Sequence, residues 1–133
     1  MSDSKSKSLQ ARVFQMNSRN LLLLLSGEKI IQHIAVTVAF ALNLKGIRST
    51  VAVNYQILMY LGLIIGVLYL ASFILIKNNS VNGRTLLASM ALADVLGEFY
   101  AQGRLDIVIT ILFIVAITIL VVIAYANLRC RHG

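Results

Sequence analysis

Two long uncharged stretches constrain the fold of this chain more than any other feature. Residues 51–76 are 26 consecutive uncharged residues, and residues 107–128 are another 22. A helix needs about 20 apolar residues to cross the hydrocarbon core of a bilayer, so each stretch is long enough to do so. Because 59% of the 133 residues are hydrophobic and the mean hydropathy is +0.84, the sequence predicts a membrane protein.

The predicted spans are helices rather than strands of a barrel. Lipid cannot satisfy backbone N–H and C=O groups, which leaves helices and closed barrels as the only spanning structures. A barrel strand alternates apolar and polar residues over about ten positions. Residues 115–123 read VAITILVVI, without alternation, and the chain has no Pro to kink a helix. We therefore expect an all-α integral membrane protein.

The pattern of apolar and polar segments predicts a small four-helix transmembrane bundle. The spans are expected at about residues 21–44, 51–76, 85–102 and 107–128. Residues 1–20 form a polar, basic tail that includes an amphipathic segment expected to lie on the membrane surface. Residues 129–133 form a short basic tail.

The distribution of Lys and Arg predicts the orientation of the bundle. With four spans, eight basic residues share one side of the membrane: Lys5, Lys7, Arg12, Arg19, Lys77, Arg84, Arg129 and Arg131. The opposite side has only Lys45, Arg48 and Arg104. The positive-inside rule then places both termini in the cytoplasm. The basic residues are explained as topological signals and contacts to anionic lipid, not as a nucleic-acid surface.

The third span carries the chemistry of greatest interest. Asp94 and Glu98 are four residues apart and share one helical face. A carboxylate at mid-bilayer costs about 2.5–3.5 kcal/mol, so both acids need partners or a watery cavity. The pair is a candidate proton or cation site. The alternative is that both acids only satisfy neighbouring groups within a packed bundle.

The first span offers partners for these acids. Lys29 and His33 are also four residues apart, and the rise of a helix places them at depths similar to those of Asp94 and Glu98. The spacing predicts a Lys29–Asp94 and His33–Glu98 ladder. In the alternative, Ser26 caps a helix that begins one residue later, and Lys29 extends to the surface without meeting an acid.

Two stripes of small residues are candidate helix-packing surfaces. Gly62 and Gly66 form a GxxxG motif on the second span, and Ala93, Gly97 and Ala101 recur every four residues on the third. Small residues allow helices in membranes to approach closely, although Gly is common in spans.

No motif in the sequence predicts catalysis, a metal or a cofactor. The chain has no Ser-His-Asp set, phosphate-binding Gly loop or HExxH motif. Cys130 and His132 are too few ligands for a metal site. Enzymatic activity of the chain itself is therefore not expected.

Two classes of function remain. In the first, the chain is an accessory or structural subunit of a larger integral-membrane complex, such as a respiratory, oxidase or oxygenase assembly, by analogy of size. Its partners would be membrane lipids and other membrane subunits, in a hetero-oligomer rather than a homo-oligomer. In the second, it is a small homo-oligomeric transporter that uses Asp94 and Glu98 to bind a proton or a cation.

Overall fold

The computed structural model describes residues 2–103 and 111–131, and no strand occurs among them. Helix α1 spans Ser2–Leu42, α2 spans Tyr55–Lys77, α3 spans Val81–Gln102 and α4 spans Ile111–Arg131. A short 3-10 helix, Leu44–Ser49, follows α1. The predicted all-α fold is confirmed. Met1, the predicted start of the fourth span at 107–110 and the last two residues lie outside the described part.

Three of the helices are long and apolar enough to cross a membrane, namely α1, α2 and α4. The two uncharged stretches found in the sequence correspond to α2 and α4. Helix α3 is not among the three, because Asp94, Glu98 and its small and polar residues lower its hydropathy. It is nevertheless 22 residues long, about the length of α2.

The N-terminal segment differs from the sequence-based expectation. We expected a surface segment followed by a separate first span, but α1 is one helix of 41 residues with no break near residue 20. The hydroxyls of Ser18 and Ser26 donate to the carbonyls of Gln15 and Leu23 within the helix. Ser26 is fully buried and does not cap a new helix, so the alternative in which α1 begins beside it is wrong.

The helices form a bundle in which each one packs on the next along the chain, and α4 also packs on α1. At one end, which we call the basic end, Arg19 donates to the side chain of Asn79 at 2.7 Å. Phe14 packs there against Tyr125, and the Arg129 guanidinium lies 4.5 Å from the Phe14 ring centre. The early part of α1 therefore runs beside the end of α4.

The tight turn between α2 and α3 requires a glycine at the basic end. A Cβ atom on Gly83 would lie 2.7 Å from the backbone nitrogen of Ile76, closer than packed atoms approach. Only a residue without a side chain lets the first turn of α3 come this close to the last turn of α2. Gly83 thereby fixes the return of the chain alongside α2.

The opposite end is closed by Arg48, in the connection between α1 and α2. Its guanidinium donates to the carbonyls of Phe40 and Ala41 at 2.8 and 2.7 Å, and it lies 4.2 Å from the ring centre of Tyr55. The last carbonyls of a helix have no partner within the helix, so a cation here satisfies them and complements the helix dipole. Ala52 also donates its N–H to the carbonyl of Ala101, which ties this connection to the end of α3.

The apolar core lies mainly between the middle of the bundle and the basic end. Its buried side chains come from all four helices: Leu22, Tyr69, Ile76, Leu87, Ala91, Ala116, Ile119 and Ile123. The half of the bundle toward the opposite end is less filled, and a cavity lies there. The candidate site lies at the boundary between the half of the bundle that contains the core and the half that contains the cavity.

Candidate functional site

A cluster of charged and polar side chains lies in the interior of the bundle. Lys29 is fully buried, and its Nζ lies 2.8 Å from Asp94 Oδ2. The same ammonium donates to the carbonyl of Leu112 at 2.6 Å. Asp94 is only 7% exposed. A buried ion pair of this kind is tolerated only when further hydrogen bonds satisfy both charges.

Two aromatic side chains complete the surroundings of Asp94. The Tyr69 hydroxyl donates to Oδ2 at 2.8 Å, and His33 Nε2 lies 3.2 Å from Oδ1. The rings of His33 and Tyr69 stack with their centres 5.4 Å apart. Lys29 and His33 come from α1, Tyr69 from α2 and Asp94 from α3, and α4 supplies the Leu112 carbonyl. All four helices therefore meet at this charged cluster.

The structure brings together three of the four charged residues singled out in the sequence, and it changes their pairing. Lys29 meets Asp94, but His33 also turns to Asp94, where the sequence had paired it with Glu98. The long stem of Lys29 covers about one helical turn, so it reaches the same carboxylate as a histidine four residues further along. Glu98 accepts a hydrogen bond from Gln102 on its own helix.

Tyr69 is the residue of the cluster that the sequence analysis did not select. It is fully buried in the middle of α2, three residues after Gly66. A tyrosine far from both ends of an apolar span places its hydroxyl in lipid unless the hydroxyl meets a polar group. The position of Tyr69 within the apolar span therefore indicated that its hydroxyl meets a buried hydrogen-bond acceptor.

The cavity beside the cluster has a volume of about 870 Å³. Its walls are mainly apolar, and the titratable side chains that line it within residues 2–103 and 111–131 are His33, Asp94, Glu98 and Tyr100. Cavities that hold small molecules have comparable volumes and a similar mixture of many apolar and few polar groups. Chemically, the cavity suits an apolar or amphipathic molecule that contacts an acid or an imidazole at one point.

The two stripes of small residues have different surroundings. Gly62 and Gly66 lie against α1, where a Cβ on Gly66 would be 3.1 Å from the Cβ of His33. Ala93, Gly97 and Ala101 line the cavity instead, and no atom of the described residues lies within 4 Å of a Cβ built on Gly97. The first stripe therefore brings two helices of this chain together, while the second faces open space.

The paired state of the cluster limits its chemistry. Asp94 accepts from Lys29 and Tyr69, and Lys29 also bonds to a backbone carbonyl. In the described ranges, 2–103 and 111–131, no group of three His, Cys, Asp or Glu side chains is placed to hold a metal ion. No protein-family model, curated protein or solved structure matches this chain.

Proposed function

We propose that this chain is an integral membrane protein that crosses the bilayer four times and acts as a non-catalytic subunit of a larger membrane assembly. The observation that carries the proposal is the state of Asp94, whose charge is neutralised by Lys29 and which accepts a further hydrogen bond from Tyr69. Groups that are satisfied by their own bundle stabilise it, and they have little capacity left for a substrate.

The outer surface supports insertion into lipid. Helix α3 is the least hydrophobic of the four proposed spans. Three of its side chains recur every four residues and are all more than half exposed, namely Leu92, Leu96 and Tyr100. This spacing makes one apolar face, and the acids lie on another. Tyr100 lies at the edge where the apolar face meets the cavity. At 1.5 Å per residue, 22 residues reach about 33 Å, which matches a hydrocarbon core of about 30 Å.

Exposed hydroxyl groups on the helices fit the same environment. Ser89 and Thr118 are exposed, and each donates to a carbonyl four residues earlier, of Thr85 and Ile114 respectively. A hydroxyl that faces lipid has no water to bond with, so bonding back to its own helix removes the cost. These contacts support lipid-facing positions for the two side chains.

The role as a subunit rests on the large apolar area that the bundle leaves uncovered. Helix α2 exposes a continuous series of large hydrophobic side chains: Ile57, Tyr60, Leu61, Leu63, Ile64, Val67, Leu70 and Ile74. Lipid covers such a surface, and so do the helices of other subunits. A small bundle with a satisfied interior and a broad apolar exterior suits a packing role in a larger assembly.

The experiment is gentle extraction of the chain from its own membrane, followed by native mass spectrometry of the purified particle. We expect other polypeptides in a fixed ratio that is the same in two chemically different detergents. The chain is purified through an affinity tag. A parallel purification from cells that contain the untagged chain identifies contaminants. A particle that contains only copies of this chain in both detergents contradicts the proposal.

A second candidate function is supported by the cavity. Because His33, Asp94 and Glu98 line a space of about 870 Å³, a transporter for a proton or an organic cation would have both a binding acid and room for the substrate. The chain alone would then move protons or cations across proteoliposomes. Glu98→Gln would abolish this flux, while Glu28→Gln, at an exposed acid bonded to Gln32, would leave it unchanged. Absence of flux in the wild type contradicts this candidate.

A further inference from the structure

A second concave surface lies at the basic end, away from the charged cluster. It has a volume of about 590 Å³ and lies between α1, the α2–α3 turn, α3 and α4. Most of its polar lining consists of cationic, amide and hydroxyl side chains: Gln15, Arg19, Asn79, Arg84, Thr85 and Asn127. We call this surface the basic crevice. Its volume falls within the range of sites that hold small ligands.

The charge of the basic crevice has one sign. Arg19 and Arg84 both line it, and no Asp or Glu is among the described residues that do. The guanidinium of Arg84 has no hydrogen bond or ion pair within the described part of the chain. Two guanidinium groups facing one space without a carboxylate between them repel each other, so an anion between them is favoured.

Arg19 has a donor without an acceptor. One guanidinium nitrogen, Nη1, donates to Asn79 Oδ1 at 2.7 Å, but the Nε atom is buried and has no partner among the residues that the structure describes. A buried N–H group that lacks an acceptor costs about 1–3 kcal/mol, so such groups are rare in folded proteins. Because this atom has almost no accessible surface, a ligand oxygen in the basic crevice would bond to it only after the guanidinium turned.

The start of α3 adds further donors. Ser80, the residue that precedes the first turn of α3, lines the basic crevice together with Val81. The Ser80 side chain makes no capping hydrogen bond. The first N–H groups of a helix carry partial positive charge and favour a phosphate or carboxylate nearby. This contribution reinforces the two arginines, which are the main basis of the site.

The remaining lining is apolar, and it distinguishes a lipid from a soluble anion. Ile76, Val81, Ala88 and Ile123 line the same crevice. Ile76 and Ile123 belong to the hydrophobic core and are only 2% and 7% exposed, whereas Val81 is 79% exposed, so the apolar part that is open to a hydrocarbon chain is formed by Val81 and Ala88. A molecule with an anionic head and a hydrocarbon chain matches both parts, whereas inorganic phosphate matches only the polar part.

We propose that the basic crevice binds the phosphate of an anionic phospholipid head group, with Arg19 and Arg84 as its direct ligands and the start of an acyl chain on Val81 and Ala88. The site rests on the proposed insertion into a membrane, but not on the proposed role as a subunit. It lies at the end for which the positive-inside rule predicts the cytoplasmic side, where anionic lipids attract basic residues.

The test measures lipid retained by the full chain, purified alone in neutral detergent micelles. Phosphatidylglycerol and phosphatidylcholine with identical acyl chains are added separately, and bound lipid is counted by native mass spectrometry. We expect wild type to retain phosphatidylglycerol preferentially. The double variant Arg19→Gln/Arg84→Gln is expected to reduce its affinity roughly 30-fold, since two cations at the site are lost.

The matched control removes two cations of the same end that do not line the basic crevice. Arg12→Gln/Arg131→Gln changes the net charge equally, and both side chains are exposed. Neutral micelles have no charged surface, so this variant should retain phosphatidylglycerol as wild type does. An equal loss in both double variants, or equal retention of the two lipids by wild type, overturns the site. Inorganic phosphate is titrated alone, and binding as tight as that of phosphatidylglycerol overturns the lipid as its ligand.

A third variant keeps both arginines and fills the basic crevice with a larger side chain. Thr85→Trp places a bulky ring in the crevice at an exposed position, so the bundle should still fold. Helical content by circular dichroism should be unchanged, and retention of phosphatidylglycerol should fall about as far as in the arginine variant. Full retention by Thr85→Trp contradicts binding inside the crevice. Because the purified chain is used without partners, these outcomes are independent of the subunit experiment.

Discussion

Asp94 is the residue on which the interior of the bundle depends. Its carboxylate contacts an ammonium, a phenol and an imidazole that come from two other helices. Lys29 and Tyr69 are fully buried, so neither has water as an alternative. Removing one partner of a buried ion pair leaves the other charge unsatisfied, which costs more than the pair itself contributes.

The pair between Lys29 and Asp94 predicts strong coupling between substitutions. We expect Lys29→Met and Asp94→Asn each to lower the free energy of unfolding by about 3 kcal/mol, because each strands a buried polar partner. The double variant should lose clearly less than the sum, by at least about 1 kcal/mol. Unfolding by SDS in mixed micelles, followed by far-UV circular dichroism, gives the three values.

The control for this cycle is Lys77→Met, which removes an exposed lysine at the end of α2 and should change stability little. Strict additivity of Lys29→Met and Asp94→Asn would show that the two side chains do not interact in the folded protein. The neutral double variant also tests whether the bundle folds without its internal charges.

The hydroxyl of Tyr69 predicts a smaller effect. Tyr69→Phe removes one hydrogen bond to Asp94 and keeps the ring that stacks on His33. We expect a loss of about 1 kcal/mol in the same SDS titration, in the range measured for hydrogen bonds between membrane helices. Tyr60→Phe makes the same chemical change at a residue that is 62% exposed, and it should be silent. Equal effects at the two positions would refute a specific role for the Tyr69 hydroxyl.

At the scale of elements, the approach of α1 to α2 is set by a short series of small residues. Gly66 lies where His33 crosses α2, and Gly62 lies one turn away beside Thr37. The distance between the two helices decides whether His33 can reach Asp94. The two glycines are thus part of the support of the charged cluster, although neither contacts the acid.

These two glycines make a matched pair for measurement. Ala at either position gains helix propensity, about 1 kcal/mol relative to Gly. At Gly62 the new methyl group would lie 3.7 Å from Thr37 Oγ1, an ordinary contact, so Gly62→Ala should be neutral or stabilising. At Gly66 it would lie 3.1 Å from the Cβ of His33, which is fixed to the backbone, so α1 must shift.

We therefore expect Gly66→Ala to be less stable than Gly62→Ala by about 1–3 kcal/mol, the usual cost of overpacking. The two variants have the same composition, so the difference reports local packing rather than propensity. Thermal melts of both purified variants in one detergent provide the comparison. A stability of Gly66→Ala equal to or above that of Gly62→Ala would contradict the close approach of the two helices.

At the scale of the whole molecule, the proposed passage of α3 through the bilayer would fix the topology. Helix α3 packs on both α2 and α4, and it returns the chain from the basic end to the opposite end. If α2 and α4 cross the membrane, α3 beside them occupies the same depth. The two ends of the bundle then face opposite compartments.

Cysteine labelling in the Cys130→Ser background measures this topology. We expect a cysteine at Ser49, in the connection between α1 and α2, to react with an impermeant maleimide added outside intact cells. A cysteine at Lys77, at the basic end, should react only after the membrane is opened. Both wild-type side chains are exposed, so neither substitution disturbs the core. Labelling of both positions from the same side would exclude four crossings in the proposed orientation.

The local composition of the sequence determined the class of fold and the approximate positions of α2 and α4. The uncharged stretches became α2 and α4, and no proline was present to interrupt a helix. Helical spacing also indicated that Lys29 and Asp94 lie at similar heights along the bundle, because the height of a residue follows from the rise per residue counted from the end of its helix. These properties depend on residues that are close to one another in the sequence, so the sequence alone is enough to predict them.

The tertiary structure alone decided which groups meet. It joined the N-terminal segment to the first span as one helix, turned His33 to Asp94, and added Tyr69 to the charged cluster. It also left the second small-residue stripe facing a cavity and enclosed the basic crevice between four elements. These features depend on the rotation and separation of whole helices, which are set by side-chain packing between distant segments. Residue spacing within one helix shows which residues share a face, but it does not show which helix packs on that face.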